Sequence, residues 1–170
     1  MKYTKIRDVK DICGNRQEDV CFDFFIPKNW NNGKPYVLRM NEQVNIPSGI
    51  KTLFNKDLGL IGLNKSGVAT KRGCVFGAHV IDSGYRGEVH LNLIKCARGL
   101  EDIRVRKKGF LGLLGFKEWA TVLNPGDKIL QFGLIKISNE EAIKISNEEY
   151  EKAPKTKRQD KGFGKGTGTR

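Results

Sequence analysis

The stretch IDSGYRGEVHLNLI, residues 81–94, decides how the chain is read. Its first half is turn chemistry: Asp82-Ser83-Gly84 and Gly87 are the short polar and glycine residues that let a backbone reverse. Its second half, from Glu88 to Ile94, alternates polar and apolar side chains, the period of a half-buried strand. A hairpin built here holds Asp82 at its edge with Tyr85 projecting beside it. A carboxylate beside an aromatic platform suits activation of water next to a ring-shaped substrate. Taken alone, the segment also reads as an ordinary β-turn.

The same punctuation continues in both directions. NNGKP (31–35), NIPSG (45–49), LNKSG (63–67) and LNPGDK (123–128) are further turn signals. Short apolar or alternating runs lie between them, and Lys128 to Ile137 is long and apolar enough for a strand on a sandwich core. Strands recurring about every ten residues predict an all-β sandwich or barrel. Helix is scarce, with Glu140 to Lys152 the best candidate. The heptapeptide IKISNEE occurs at 135–141 and again at 143–149, which reads as a local tandem duplication where a strand gives way to a helix. Its period is far below that of solenoid repeats.

At 170 residues and 38% hydrophobic content the chain is expected to form one globular domain with its own core. No run approaches the ~18 apolar residues of a membrane span, and no membrane contact is expected. The amino-terminal MKYTKIRDVKDICG has no apolar segment of the kind a signal peptide carries, so none is expected. The cysteines, Cys13, Cys21, Cys74 and Cys96, form no CxxC pair, and a reducing cytosol is the expected compartment, or a nucleus or host cytosol for a viral source. Two histidines, His79 and His90, are too few for a histidine-based metal site. The formal charge of +12 implies an anionic partner, either nucleic acid or a phosphorylated small molecule.

Other segments carry chemistry of their own. In LNKSGVATKRG, Lys65, Ser66 and Gly67 set a cation, a hydroxyl and a bare backbone side by side, a small anion-binding set or a solvated turn. Gln131 lies inside the apolar run GDKILQFGLI, where an amide needs partners and is either structural or aimed at a ligand. From Lys155 the composition changes to Lys, Arg, Gly and Thr, giving a body over 1–152 and a flexible basic arm over 153–170. In that arm Arg158, Lys161 and Lys165 supply charge, glycines such as Gly162 and Gly164 allow close backbone approach to phosphate, and Phe163 can stack on a base. Residues 97–118, RGLEDIRVRKKGFLGLLGFKE with the preceding Ala97, look like an insertion. The favoured reading is a hairpin with its apolar residues packed away; the alternative is an exposed surface for protein or nucleic acid.

The order of these pieces is the informative feature. DVCFDFF, NKSGVA, VIDSGYRGEV, GDKILQFGLI and RQDKGFGKGTG follow the succession of motifs in the trimeric dUTPases, and the whole chain outside the insertion resembles that family. The resemblance implies a jelly-roll β-fold, a homotrimer with active sites shared among subunits, and Mg2+-assisted hydrolysis of dUTP to dUMP and pyrophosphate. It implies that Asp82 orients and activates the attacking water and that Tyr85 lies under the deoxyribose. Lys65, Ser66 and Gly67 match the phosphate-binding turn, with Lys65 where the family usually has arginine. Gln131 matches the glutamine near the α-phosphate, and Asp23 the aspartate that helps organise the metal and phosphate region. His79 and Val80 fall in the hairpin whose backbone reads uracil. Arg158 matches the arm's phosphate arginine, Phe163 the ring that covers uracil, and Gly164, Lys165 and Thr167 the glycine-rich run after it.

Three positions depart from the family. Val20-Cys21-Phe22 precede Asp23 where Ala-Gly is usual, Lys165 stands where the arm's serine is expected, and His79 replaces a glycine, where it either shifts base choice toward hydrolysis of dCTP or a modified dUTP or is a hairpin histidine satisfied by its neighbours. AHVIDSGY also resembles the related dCTP deaminases. Their proton-moving glutamate falls at Asn92 and their second-motif arginine at Thr70, neither able to do that work, so the dUTPase reading is favoured. A non-catalytic module holding nucleic acid through the arm and RVRKKG is the reading from another class.

Overall fold

A computed structural model describes residues 1–12, 18–138 and 140–154. The chain divides into two compact units, Met1–Ser138 and Asn139–Arg170. The first unit runs β1 (Lys2–Lys5), β2 (Phe22–Phe25), β3 (Tyr36–Arg39), β4 (Gln43–Pro47), β5 (Ile50–Leu53), β6 (Leu58–Leu63) and α1 (Ser66–Arg72). It continues β7 (Cys74–Phe76), β8 (Val80–Ile81), β9 (His90–Lys95), β10 (Ile103–Arg106), α2 (Phe110–Leu113), β11 (Lys117–Leu123) and β12 (Lys128–Lys136). The second unit contains α3 (Asn147–Glu151).

The strands pair antiparallel throughout, in four small sheets ordered β1-β5, β10-β11-β3, β2-β12-β6-β8 and β4-β9-β7. This is the all-β class that the turn spacing predicts. The alternating run behaves as expected in part: Val89, Leu91 and Leu93 are buried and His90 is exposed, but Asn92 is buried as well, because β9 lies between β4 and β7. Two sheets meet through aromatic rings. Phe132 on β12 lies 4.6 Å from Phe24 on β2 and 5.3 Å, edge-on, from Phe76 on β7. Phe76 comes so close to β6 that any side chain at Gly62 would run into its ring. Such offset and edge-on ring contacts stabilise the core beyond the area they bury.

One register shift matters for the site. Between Lys128 and Leu130 the pairing of β12 with β2 slips by one residue, so Ile129 and Leu130 both enter the core. A bulge of this kind re-aims the residues beyond it. Gln131 then faces away from Phe132 and stays half-buried outside the core.

Several expectations need correction. Asp82 does not sit on a hairpin: β8 pairs with β6, whereas β9 pairs with β4 and β7. The stretch 82–89 is a connection between two sheets, tightened by a bond from the Tyr85 amide to the Asp82 carbonyl of 3.0 Å. The same holds for His79, which links β7 of one sheet to β8 of another. LNKSG is loop only as far as Lys65, and Ser66 already opens α1. The helix placed over Glu140 to Lys152 spans only Asn147–Glu151, capped by Ser146, whose hydroxyl accepts from the Glu149 amide at 3.1 Å.

The insertion does form a hairpin, β10 against β11, but its apolar residues are not packed away. Leu113 is 83% and Phe110 72% exposed, and Leu111, Leu114 and Phe116 are exposed as well. Among the described residues no second layer covers this four-residue helix at the end of an edge hairpin. The root of the insertion, by contrast, is locked. Lys95 and Asp102 are both fully buried and paired at 2.7 Å. The ammonium also donates to the carbonyls of Arg72 and Ala97 at 2.7 and 2.8 Å, and Asp102 accepts from the Gly99 amide at 2.9 Å. A buried ion pair is tolerable only when its remaining donors and acceptors are filled in this way.

Among the described residues no helix is long and apolar enough to cross a membrane. Cys21, Cys74 and Cys96 are free thiols, and burial pushes Cys74 up to about 11.

Candidate functional site

Asp23, Lys65 and Gln131 converge. Asp23 on β2 is the direct cross-strand partner of Gln131 on β12, and Gln131 is in turn opposite Leu63 at the end of β6. Leu63 delivers the chain to Lys65 and α1 two residues later. The Lys65 ammonium reaches back to one oxygen of Asp23 at 2.9 Å, and Lys128 takes the other at 3.0 Å. The Gln131 amide donates to the Asn64 carbonyl at 3.1 Å, while the Asn64 side chain accepts from the Phe76 amide at 2.7 Å. Asp23, Lys65 and Gln131, together with Asp19, Val20 and Cys21, line a pocket of about 200 Å³.

The electrostatics of the pocket follow from that geometry. Two carboxylates, Asp19 and Asp23, stand against two ammonium groups, Lys65 and Lys128, so the local balance is near neutral, and it is the lysines and the first helix amides rather than net charge that can meet an anion. Ser66 and Gly67 open α1 beside it, where the first backbone amides of a helix lack intrahelical acceptors. A side chain at Gly67 would meet nothing within 4 Å, so packing does not demand glycine there. The helix is held at both ends, by Lys65 to Asp23 and by Arg72 to Asp127 at 2.7 Å.

Asp82, Tyr85, His79 and Val80 form a second group. The Asp82 side chain is exposed and heads the turn to Tyr85. The Tyr85 ring lies across Gly87, where any side chain would strike it, and its hydroxyl donates to the Glu88 carbonyl at 2.9 Å. The Glu88 carboxylate anchors the end of this connection. It accepts from the Gly49 amide at 2.6 Å and from the Arg7 guanidinium at 2.7 and 3.0 Å. His79 is tied down: its Nδ1 is 2.9 Å from the Gly62 carbonyl and its ring packs edge-on to Phe76. These contacts match the structural role of a histidine satisfied by its neighbours. Val80 pairs with Ile61 and remains exposed.

The groups adjoin at His79, which bonds to Gly62 next to Leu63, but Asp82 and Gln131 do not meet within one chain. Ile81 is opposite Leu60, whereas Gln131 is opposite Leu63. At ordinary strand dimensions, Asp82 and Gln131 are therefore separated by about 13 Å along the strands and about 10 Å across them. Arg158, Phe163, Gly164, Lys165 and Thr167 lie outside the described residues, as do their expected contacts.

A magnesium cage is not present among the described residues. No three His, Cys, Asp or Glu side chains cluster in a way that could hold an ion. Both oxygens of Asp23, the residue expected near the metal, are occupied by ammonium groups.

Several contributors were hidden from sequence reading. Lys128 stood inside the quoted GDKILQF run but signalled nothing beyond a strand start. Asn64 sits next to Lys65 and joins Gln131 to β7. Arg7 is 81 residues from Glu88, and nothing local announces the pair. Burial raises the Glu88 carboxyl, but Arg7 and the Gly49 amide outweigh it and hold the group below its ordinary value of 4.5. A depressed carboxyl contributes stability above its unfolded value and loses it as pH falls through the folded one. Glu88→Ala is therefore expected to cost about 1–2 kcal/mol at neutral pH, mostly from the bond to Gly49 rather than the solvent-screened pair with Arg7. Denaturant titrations should show the gap between the two proteins closing as pH drops below 4.5.

Comparisons with known proteins bear on the architecture. No family profile matches the sequence and no curated relative does. Solved structures do match. A dUTPase of Staphylococcus bacteriophage 80alpha, bound to dUpNHpp, superposes with a TM-score of 0.72 at 17% identity over 96% of both chains. A dUTPase from phage phi11 of S. aureus, in which a structural Mg(II) ion is coordinated, gives 0.66 at 18% identity over 87% of this chain and 97% of that one. Another structure of the phi11 dUTPase, which shows a species-specific insert, gives 0.65 at 18% identity over 85% and 94%. Likeness this extensive at such low identity speaks to architecture, and the chain accordingly has the fold of the dUTPases.

Proposed function

We propose that this protein hydrolyses dUTP to dUMP and pyrophosphate, at sites that copies of the chain build jointly in a homotrimer. One observation carries the reading: the pocket that holds Lys65 and Gln131 and the Asp82–Tyr85 connection stand about 13 Å apart along the strands of one copy, which favours a site shared between copies. Gln131 and Asp82 both have work at the α-phosphorus, so a second copy must bring them together. The dUTP analogue on the 80alpha dUTPase supports the substrate class.

In this reading Lys65, Ser66 and Gly67 hold the phosphates, and Gln131 positions the α-phosphate. Lys65 and Lys128 wait on Asp23 and turn toward the phosphate oxygens when nucleotide arrives, which spares the site an ordering cost. The Asp82 carboxylate accepts a proton from water as its oxygen bonds to the α-phosphorus. The bond from that phosphorus to the α–β bridging oxygen breaks, and pyrophosphate leaves. Tyr85 packs beneath the deoxyribose, with no room for a 2′-hydroxyl. The backbone around His79 and Val80 reads the base, and Arg158, Phe163, Gly164, Lys165 and Thr167 of the arm cover it. Mg2+, for which the described residues form no cage, would be held by the triphosphate itself and would offset phosphate charge.

Pyrophosphate release from a panel of nucleotides, with chromatography of the base product, tests the substrate. dUTP should give dUMP, and UTP should be refused. Formation of dUTP from dCTP would instead mark a deaminase and overturn the proposal.

A further inference from the structure

The tip of the β10–β11 hairpin has no role in nucleotide hydrolysis, yet it breaks two rules that surfaces ordinarily obey. Phe110, Leu111, Leu113, Leu114 and Phe116 stand exposed together at its apex. Contiguous apolar surface of this kind marks an interaction site. Behind the apex, Arg106 and Lys117 are direct cross-strand partners on an exposed face, with Arg104 on the same side opposite Trp119. Like charges facing each other across a ladder destabilise it.

Charge pairing elsewhere in the segment is complete, which makes the exception stand out. Each carboxylate between residues 97 and 118 is already matched: Glu101 with Lys71, Asp102 with Lys95, and Glu118 with Arg39. Among the described residues none pairs with Arg106, Lys107 or Lys117. The hairpin is also rigidly presented. Its root is held by the buried Lys95–Asp102 pair, and Trp119 is stacked by Arg98 at 3.8 Å and Arg104 at 4.9 Å. A surface fixed in advance loses little freedom on binding.

We infer that this hairpin docks an acidic, amphipathic segment of another protein, whose apolar residues cover the apex and whose carboxylates lie along Arg104, Arg106 and Lys117. A two-fold contact between copies of this chain is a poor alternative, because the patch meeting itself would set Arg104, Arg106 and Lys117 against their own equivalents. An anionic bilayer would reach cations about 7 Å behind the apex through its headgroups, so capture of vesicles is the outcome that would assign the face to a membrane instead. A nucleic acid backbone offers phosphates to the cations but nothing to cover the apolar apex.

The test uses the full chain and a synthetic helix of leucine and glutamate as probe, read by fluorescence anisotropy. A leucine–lysine helix, phosphatidylglycerol vesicles and duplex DNA are the comparison arms. The glutamate helix should bind, and Leu113→Asp should weaken it about tenfold or more, as loss of a central apolar anchor does. Phe110→Ser gives an independent reading at a second exposed position. The double change R106E/K117E should reverse the preference toward the lysine helix. Nucleotide turnover should be unchanged in all three variants, which separates this surface from the hydrolytic site. No binding of the glutamate helix, binding indifferent to these changes, or capture of vesicles or DNA in its place would each overturn the inference.

Discussion

Replacing Asp82 by Asn is expected to lower turnover of dUTP by roughly 10²–10⁴-fold, the usual worth of a positioned general base. Asparagine keeps the size and the polar contacts of aspartate but cannot take a proton from water. The Asp82 side chain is exposed at the head of the turn to Tyr85, so the substitution removes no core contact and should leave stability unchanged. Nucleotide affinity should survive, because the proposal gives the phosphate contacts to Lys65, Ser66, Gly67 and Gln131. Calorimetric titration with a non-hydrolysable dUTP analogue, alongside single-turnover kinetics, separates the two effects. Equal turnover in the variant would exclude Asp82 as the base.

Removal of residues 157–170 is expected to have an effect of similar size by a different route. This stretch, KRQDKGFGKGTGTR, supplies Arg158, Lys161 and Lys165 together with Phe163. Charge-assisted bonds to phosphate are worth about 1.5–3 kcal/mol each, so losing two of them lowers kcat/KM by about 10²–10⁴-fold. Covering the nucleotide also keeps out water other than the nucleophile, so kcat should fall together with affinity. The fold should be indifferent. Among the described residues, the buried core runs from Val9 to Phe132, inside the unit Met1–Ser138. The truncated chain should melt as the full chain does, and a well-folded truncated body with full activity would contradict the role given to the arm.

What could be read from the sequence was whatever is local and periodic. The strand over Lys128 to Ile137 and the alternation from Glu88 to Ile94 follow from side chains facing opposite sides of a pleat. Motif order brought Asp23, Lys65 and Gln131 to one place, and the structure puts them in one pocket. The rest depended on partners distant in sequence. Glu88 finds Arg7 and Gly49, and Lys95 finds the end of α1, through tertiary packing alone. The turn after Ile81 looked like a hairpin because a sheet-to-sheet connection uses the same residues. The repeated heptapeptide makes the same case. Its first copy begins in strand, with Ile135 opposite Gly59 and Lys136 opposite Leu58. The second forms no strand at Ile143 and Lys144, and its serine, Ser146, caps a helix instead. Identical local preferences give different structures because neighbouring chain decides between them.

The composite site itself is open to a direct measurement. Two inactive variants, Asp82→Asn in one preparation and Lys65→Ala in the other, are unfolded, mixed in equal amounts and refolded together. If each site takes its carboxylate from one copy and its phosphate pocket from another, random assembly regenerates intact sites and restores about a quarter of the native activity. Activity that stays at the level of the separate variants in a properly assembled mixture would mean that Asp82 and the Lys65 pocket serve the same nucleotide from one copy, or not at all.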